Sequence, residues 1–257
     1  MSQELLDGRF RIGHVIGKGN MGEVHRAEDL QAAEGTPERT VAVKTILRRR
    51  TGTRIDTGAD PKAIKFPLML PRVSPSLTAA LIASQSSLVF DCVCRQKVGA
   101  ISVMLFIWKQ LPVPHPDDLA PHTPFLIRRT LELLYTSWEM EPLAKDLGDT
   151  GAPFTWNEDR RAQLRAELDA YFLHLYGVSA EDADYILESF QTENGGLKNN
   201  EIAKYGEYRT KRLVLTEYNR MAAAGLTLET PLIDGENYTS TLTPPPGHGP
   251  RHEGAAE

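Results

Sequence analysis

The sequence predicts an α+β protein in which a small antiparallel β-sheet precedes a mostly helical C-terminal region with one short strand segment. Three observations predict it. Residues 8 to 47 alternate apolar and polar positions between glycines, the period of strands. From Ser74 onward the apolar residues fall at helical spacing behind capping residues. Between the two, residues 49 to 66 show neither period, and we read them as a junction.

Each element has a local reason. "RFRIGHVIG", "GEVHRAED" and "RTVAVKTIL" read as three antiparallel strands forming a domain over residues 1 to 48. Residues 67 to 228 form a second domain. In it "SPSLTAALIASQSSLVFDCVCRQK" places Leu77, Leu81, Leu88 and Val89 at near-helical spacing behind a Ser-Pro start. "AISVMLFIW" then reads as a strand, and the prolines of "KQLPVPHPDD" end regular structure. "NEDRRAQLRAELDAYFLHLYG" opens on an Asn cap and early acids and stops at Gly177, with Leu164, Leu168, Tyr171, Phe172 and Leu175 on one stripe. "SAEDADYILESF" and "GEYRTKRLVLTEYNRMAAAG" predict two further helices. Residues 229 to 257, with "TPPPGHGPRHEGAAE", hold so little apolar content that they are expected to be disordered.

Composition narrows the function. Residues 1 to 65 carry 12 basic and 9 acidic side chains, 66 to 130 carry 6 and 3, and 131 to 257 carry 11 and 22. The acidic second half argues against wrapping nucleic acid along the whole chain and leaves the first half as the phosphate-attracting face. Cys92 and Cys94 are too close in a regular segment to pair, and a reducing cytoplasm is the expected location. The most apolar run, residues 100 to 108, is far shorter than the roughly 20 residues a membrane span needs. The seven histidines have no metal-ligand spacing with the cysteines, so no metal is expected, and His174 within "YFLHLYG" reads as a satisfied core or edge residue.

"VIGKGNMGEV" places Gly17, Gly19 and Gly22 in a hairpin whose backbone would approach a triphosphate without a side-chain clash. Val24 would then cover the base, and Lys44 of "VAVK" would reach the phosphates as a point charge. Over residues 8 to 47 the chain resembles the opening of bacterial serine/threonine protein kinases. The resemblance implies ATP as ligand, held by Ile16, Gly17, Lys18, Gly19, Asn20, Met21, Gly22, Val24 and Lys44. It stops there: no glutamate occurs between Glu38 and Glu132, and His-Arg-Asp, Asp-Phe-Gly and Ala-Pro-Glu are all missing. Phosphoryl transfer would have neither metal ligands nor a base.

Four later blocks, "SSLVFDCVCRQKVGAISVMLFIWKQLPVP", "LLYTSWEMEPLAKDLG", "RAELDAYFLHLYGVSAEDADYIL" and "YGEYRTKRLVLTEYNRM", carry a second resemblance over residues 66 to 246. They are similar, in order, to the C-terminal region of adenine-specific DNA methyltransferases of the type IIG and phage-defence (BREX, DISARM) class. That region is target-recognition-like in such proteins, which implies duplex DNA or a separate methyltransferase subunit as partner. Arg95, Gln96 and Lys97 would offer a guanidinium and an amide to base edges and an ammonium to phosphate, with Lys109 and Gln110 as a second pair. The same residues are equally explained as solvated helix-end cations favoured by the macrodipole. Arg209, Lys211 and Arg212 read as a solvated face.

The chain departs from this family where "VGAISVMLF" replaces a glycine-rich, threonine-containing step. It also has neither the polar-Pro-Pro-aromatic grip for a flipped adenine nor a loop for the methyl donor. Three readings follow: a non-catalytic DNA-recognition segment fused to an ATP-binding loop, a kinase remnant that binds ATP, and a recombined fragment without activity.

Overall fold

The computed structural model describes residues 5–6, 10–19, 22–32, 40–46, 72–98, 103, 105–192 and 195–253. The protein is α+β, and its internal contacts divide it into two units, Met1–Pro67 and Leu68–Glu257.

The first unit is an antiparallel sheet of β1 (Leu5–Leu6), β2 (Phe10–Gly19), β3 (Gly22–Asp29) and β4 (Thr40–Ile46), paired in chain order. Four strands stand where three were expected, because the two-residue β1 adds itself to β2 upstream of the alternating run. The register of β2 and β3 shifts between Ile12 and Val15 and again between Val15 and Gly17. Gly13 lies in the first irregularity, where a Cβ would come within 2.7 Å of the Arg26 carbonyl oxygen, so close backbone approach requires glycine there.

The second unit contains α1 (Pro75–Gln85), α2 (Leu88–Lys97), α3 (Leu105–Trp108), α4 (Pro116–Leu119), α5 (Thr123–Leu134), α6 (Glu141–Asp146), α7 (Glu158–Leu175), α8 (Ala180–Glu188), α9 (Leu197–Tyr205) and α10 (Arg209–Ala223). The long helix α7 is the axis of the core. Asn157 caps it by accepting from the Arg160 N–H at 2.9 Å, and it ends beside Gly177 at φ 65°. Tyr171, Phe172 and Leu173 are all but fully buried in one cluster with Ala80 and Ala83 of α1, Phe125 and Leu126 of α5, and Val214 and Met221 of α10. At about 1.5–3 kcal/mol per large apolar side chain, this cluster dominates the stability of the unit. Among the described residues no single helix is long and apolar enough to cross a membrane.

Three expectations are corrected. The single helix read over residues 74 to 97 is two helices, because Ser87 caps α2 by accepting from the Phe90 N–H at 3.4 Å. The strand read at 100 to 108 is a helical turn over Leu105–Trp108, while residues 100–102 and 104 lie outside the described residues. The tail expected to be disordered is built into the unit over residues 231–253, with Leu232 and Tyr238 buried in the core cluster. Polar contacts anchor it where apolar residues are few. Arg129 donates to both Asp234 carboxylate oxygens at 2.8 and 2.9 Å, and Arg160 donates to the carbonyls of Pro244 and Pro245. Gly247, at φ 82°, turns its N–H onto Glu132 at 2.8 Å.

Candidate functional site

The glycine loop is the end of the β2–β3 hairpin. Gly17 pairs with Val24, Lys18 with Glu23 and Gly19 with Gly22, while Lys44 of β4 stands opposite Val24. The backbone therefore brings Ile16, Gly17, Lys18, Gly19, Gly22, Val24 and Lys44 into one sheet; Asn20 and Met21 lie outside the described residues.

The expected DNA contacts sit at two helix ends that share one small apolar cluster. Phe90, Cys94 and Leu111 are buried together with Val93, Val98, Val103 and Trp108 packed on them, and the Phe90 and Trp108 rings meet edge-on at 5.6 Å. This cluster joins the last turns of α2, with Arg95, Gln96 and Lys97, to the turn after α3, with Lys109 and Gln110. All five are exposed. Arg95 is the least free of them, since its guanidinium bonds Asp91 at 2.8 and 3.0 Å and lies over the Phe190 ring. Gln110 donates to the Phe106 carbonyl at 3.1 Å. Among the described residues neither Lys97 nor Lys109 has an ion-pair partner.

The other cations noted in the sequence are paired. Arg209 binds Asp159 at 2.9 Å, Lys211 binds Asp184 and Glu188, and Arg212 binds Glu207 at 2.8 Å. Surface pairs of this kind contribute little individually. Their consequence here is that α10 offers no unpaired basic face to phosphate. His174 is held as a structural residue, with Nε2 donating to the Tyr218 carbonyl at 2.9 Å and its ring stacked on Tyr218 at 4.0 Å. Cys92 and Cys94 are free thiols. Among the described residues no group of three or more histidines, cysteines or carboxylates is placed to hold a metal ion.

Two constellations escaped sequence reasoning. The first is ionic and buried. Arg129 donates Nε–H to Glu167 at 2.6 Å while its two Nη groups donate to Asp234, and Arg160 forms a two-pronged pair with Glu132. Glu167 also accepts from Ser240 at 2.5 Å, and Glu217 from Tyr238 at 2.5 Å. These groups face the C-terminal strap and satisfy one another, which suits anchoring rather than chemistry.

The second is a cleft of about 540 Å³ walled by α1, α5, α7 and α9. By area its wall is mostly apolar, with Leu88, Leu133, Leu134 and Leu197 contributing, but charged residues of both signs, among them Glu158, Arg161, Arg165, Asp169 and Glu201, also line it. Asp169 accepts the Leu88 N–H at 2.7 Å, and burial pushes its carboxyl up to about 7 despite that bond. Arg161 donates Nη1–H to the Leu133 carbonyl at 2.9 Å and stacks on Trp156 at 3.7 Å, while its Nε is buried without a partner. Thr130 is only 3% exposed, and its hydroxyl has no partner either. The sequence signal was present but faint: charged residues fall inside the long apolar stripe of α7, where an ordinary solvated face would keep them outside.

Compared with protein-family models, with curated proteins and with solved structures, the chain matches none.

Proposed function

We propose that the helical unit is a non-catalytic DNA-contacting accessory segment of an adenine-specific DNA methyltransferase of the restriction and phage-defence class. The observation that carries this reading is the joining of the two polar pairs, Gln96 with Lys97 and Lys109 with Gln110, on one apolar cluster, with both lysines unpaired among the described residues. The ordered resemblance of the four sequence blocks supplies the methyltransferase context. The acidic remainder of the unit confines contact with DNA to this end. Two lysines meeting two phosphates give a weak, strongly salt-dependent interaction, with log K falling against log salt at a slope of about −2.

Duplex binding measured across a salt series tests the reading. Lys97→Ala and Lys109→Ala should each reduce the slope by about one, whereas Arg95→Ala should reduce it less, because Asp91 already compensates that charge. Binding that is unchanged by both lysine substitutions refutes it.

The hairpin favours a second reading, in which the first unit binds ATP through its glycine backbone and Lys44, supported by the register that sets Lys44 opposite Val24. A labelled ATP analogue should then bind the intact chain and be lost on Lys44→Ala. Binding indifferent to that change removes the reading.

A further inference from the structure

We propose that the cleft between α1, α5, α7 and α9 binds a neutral carbonyl compound, an amide, ester or ketone with a hydrocarbon body, whose carbonyl oxygen accepts a hydrogen bond from Oδ2–H of Asp169. None of the residues of the DNA reading takes part.

Asp169 lies on α7, lines the cleft and is 8% exposed. Its Oδ1 accepts the Leu88 N–H at 2.7 Å. Its Oδ2 has no hydrogen-bond partner among the described residues, yet it is not sealed in as Thr130 Oγ1 and Arg161 Nε are. A carboxyl oxygen of this kind is an anchor for the polar group of a ligand. The other charged groups of the wall have partners of their own. Arg165 is matched by Glu158 at 3.6 Å and Arg209 by Asp159 at 2.9 Å, while Glu201 accepts from the Thr210 N–H and hydroxyl at 2.7 and 2.6 Å. Arg161 donates to the Leu133 carbonyl, and Lys204 lies over the Tyr205 ring.

The position of the Asp169 proton decides what the ligand must offer. Burial raises the pKa of this carboxyl to about 7, against the Leu88 bond and the charge of Arg165 one turn earlier on α7. Because Oδ1 already accepts, the proton of the neutral form belongs on Oδ2, and the carboxyl presents an O–H donor to the cleft. Tyr208, just ahead of α10, is the other titratable group acting with Asp169, and burial together with Glu201, Glu188 and Asp169 pushes its pKa up. No histidine lines the cleft.

Charge then selects a neutral ligand. The parts of α1, α2 and α5 that line the cleft are uncharged, α7 adds Glu158, Arg161 and Arg165 beside Asp169, and α9 with the start of α10 adds Glu201, Lys204 and Arg209. An ammonium group would enter among four cations and strip Asp169 of its proton. A ligand carboxylate would shed its water for one hydrogen bond, since the cations of the wall are engaged elsewhere. A carbonyl takes the same bond with no charge to desolvate, and the mostly apolar wall suits a hydrocarbon remainder.

The test uses the full chain and three six-carbon probes: N,N-dimethylhexanamide, which accepts but cannot donate, hexylamine and hexanoate. Binding is followed by amide NMR shifts and by titration calorimetry at pH 6 and pH 8. The tertiary amide should shift Leu88 and Asp169 and bind about tenfold more tightly at pH 6, because its affinity follows the protonated fraction of Asp169. Hexylamine and hexanoate should each bind at least about tenfold more weakly than the amide at pH 6. Asp169→Asn keeps the acceptor for Leu88 and puts an N–H donor in place of Oδ2–H, so it should bind the amide about equally at the two pH values, an effect that a merely structural carboxyl would not produce. Four results overturn the proposal. Equal affinity of the parent at pH 6 and pH 8 removes Asp169 as the donor. An affinity that still falls with pH in Asp169→Asn assigns the dependence to another group. Hexylamine or hexanoate binding as tightly as the amide makes the site one for ions. Absence of amide binding, or shifts confined to residues outside the cleft, removes the site.

Discussion

Asp169→Asn isolates the least ordinary titration in the protein. Asp169 sits on α7, is 8% exposed, and receives the Leu88 N–H at the start of α2. Burial raises its folded pKa from 3.8 to about 7. Between those values the folded chain keeps a proton that the unfolded chain has released, so the contribution of this group to stability falls as pH rises and levels off above about 7. Each pH unit in that window is worth about 1.4 kcal/mol, or about 4 kcal/mol over the whole of it. Asparagine resembles the protonated form: its amide oxygen still accepts from Leu88, and it has no charge to desolvate.

Urea unfolding of both proteins from pH 5 to pH 8 reads the effect directly, since every other titrating group cancels in the difference. Asp169→Asn should gain on the parent by about 1.4 kcal/mol per pH unit near pH 5 to 6, with the gain flattening past pH 7. Parallel curves, or a difference that shrinks as pH rises, would refute the assignment of a buried, protonated carboxyl at this position.

Arg129→Met leaves Glu167 buried without its cation and should cost about 3–5 kcal/mol by urea unfolding. Asp234→Asn, at the edge of the same cluster, should cost distinctly less. Ending the chain after Thr230 removes Asp234, Tyr238 and Gly247 at once and uncovers Arg129 and Glu132, so limited proteolysis should cut the helical unit faster than in the full chain. Burial lowers the pKa of His122 and of His174, whose rings are bonded to the Leu228 and Tyr218 carbonyls. Their contribution to stability is therefore present above the unfolded histidine value of about 6.5 and is lost as pH falls below it. Imidazole C–H shifts of the folded protein should titrate with midpoints below those of the unfolded chain, and a midpoint at or above the unfolded one would contradict the burial.

Much of the fold could be read from local pattern. Asn157, Gly177 and the stripe from Leu164 to Leu175 define α7 without reference to any other segment, because caps and helical period act within a few residues. Ser86 and Ser87 were a visible break, but leucine spacing on either side suggested one continuous helix, and capping won over periodicity. The strap was illegible for a different reason. Its anchors, Arg129 to Asp234, Arg160 to Pro244 and Glu132 to Gly247, join residues more than eighty positions apart, and a polar, proline-rich composition carries no trace of them. The cleft was illegible on the same ground, since Thr130 and Arg161 are unexceptional helix residues until folding sets them on one wall.

The strap and the cleft are two faces of the same pair of helices. On α5, Arg129 and Glu132 point to the strap while Thr130 and Leu133 line the cleft. On α7, Arg160 and Glu167 hold the strap while Arg161, Arg165 and Asp169 line the cleft. Neighbouring residues on a helix point about 100° apart, so a rotation of either helix that loosened one set would misalign the other. Charged residues buried on the strap face fix that rotation more sharply than apolar packing would, because a guanidinium forked onto a carboxylate tolerates less displacement than leucine against leucine. Glu132, Glu167 and Asp234 thus have an internal use: held on Arg160 and Arg129, they set the angle at which α5 and α7 turn one side to the strap and the other to the cleft.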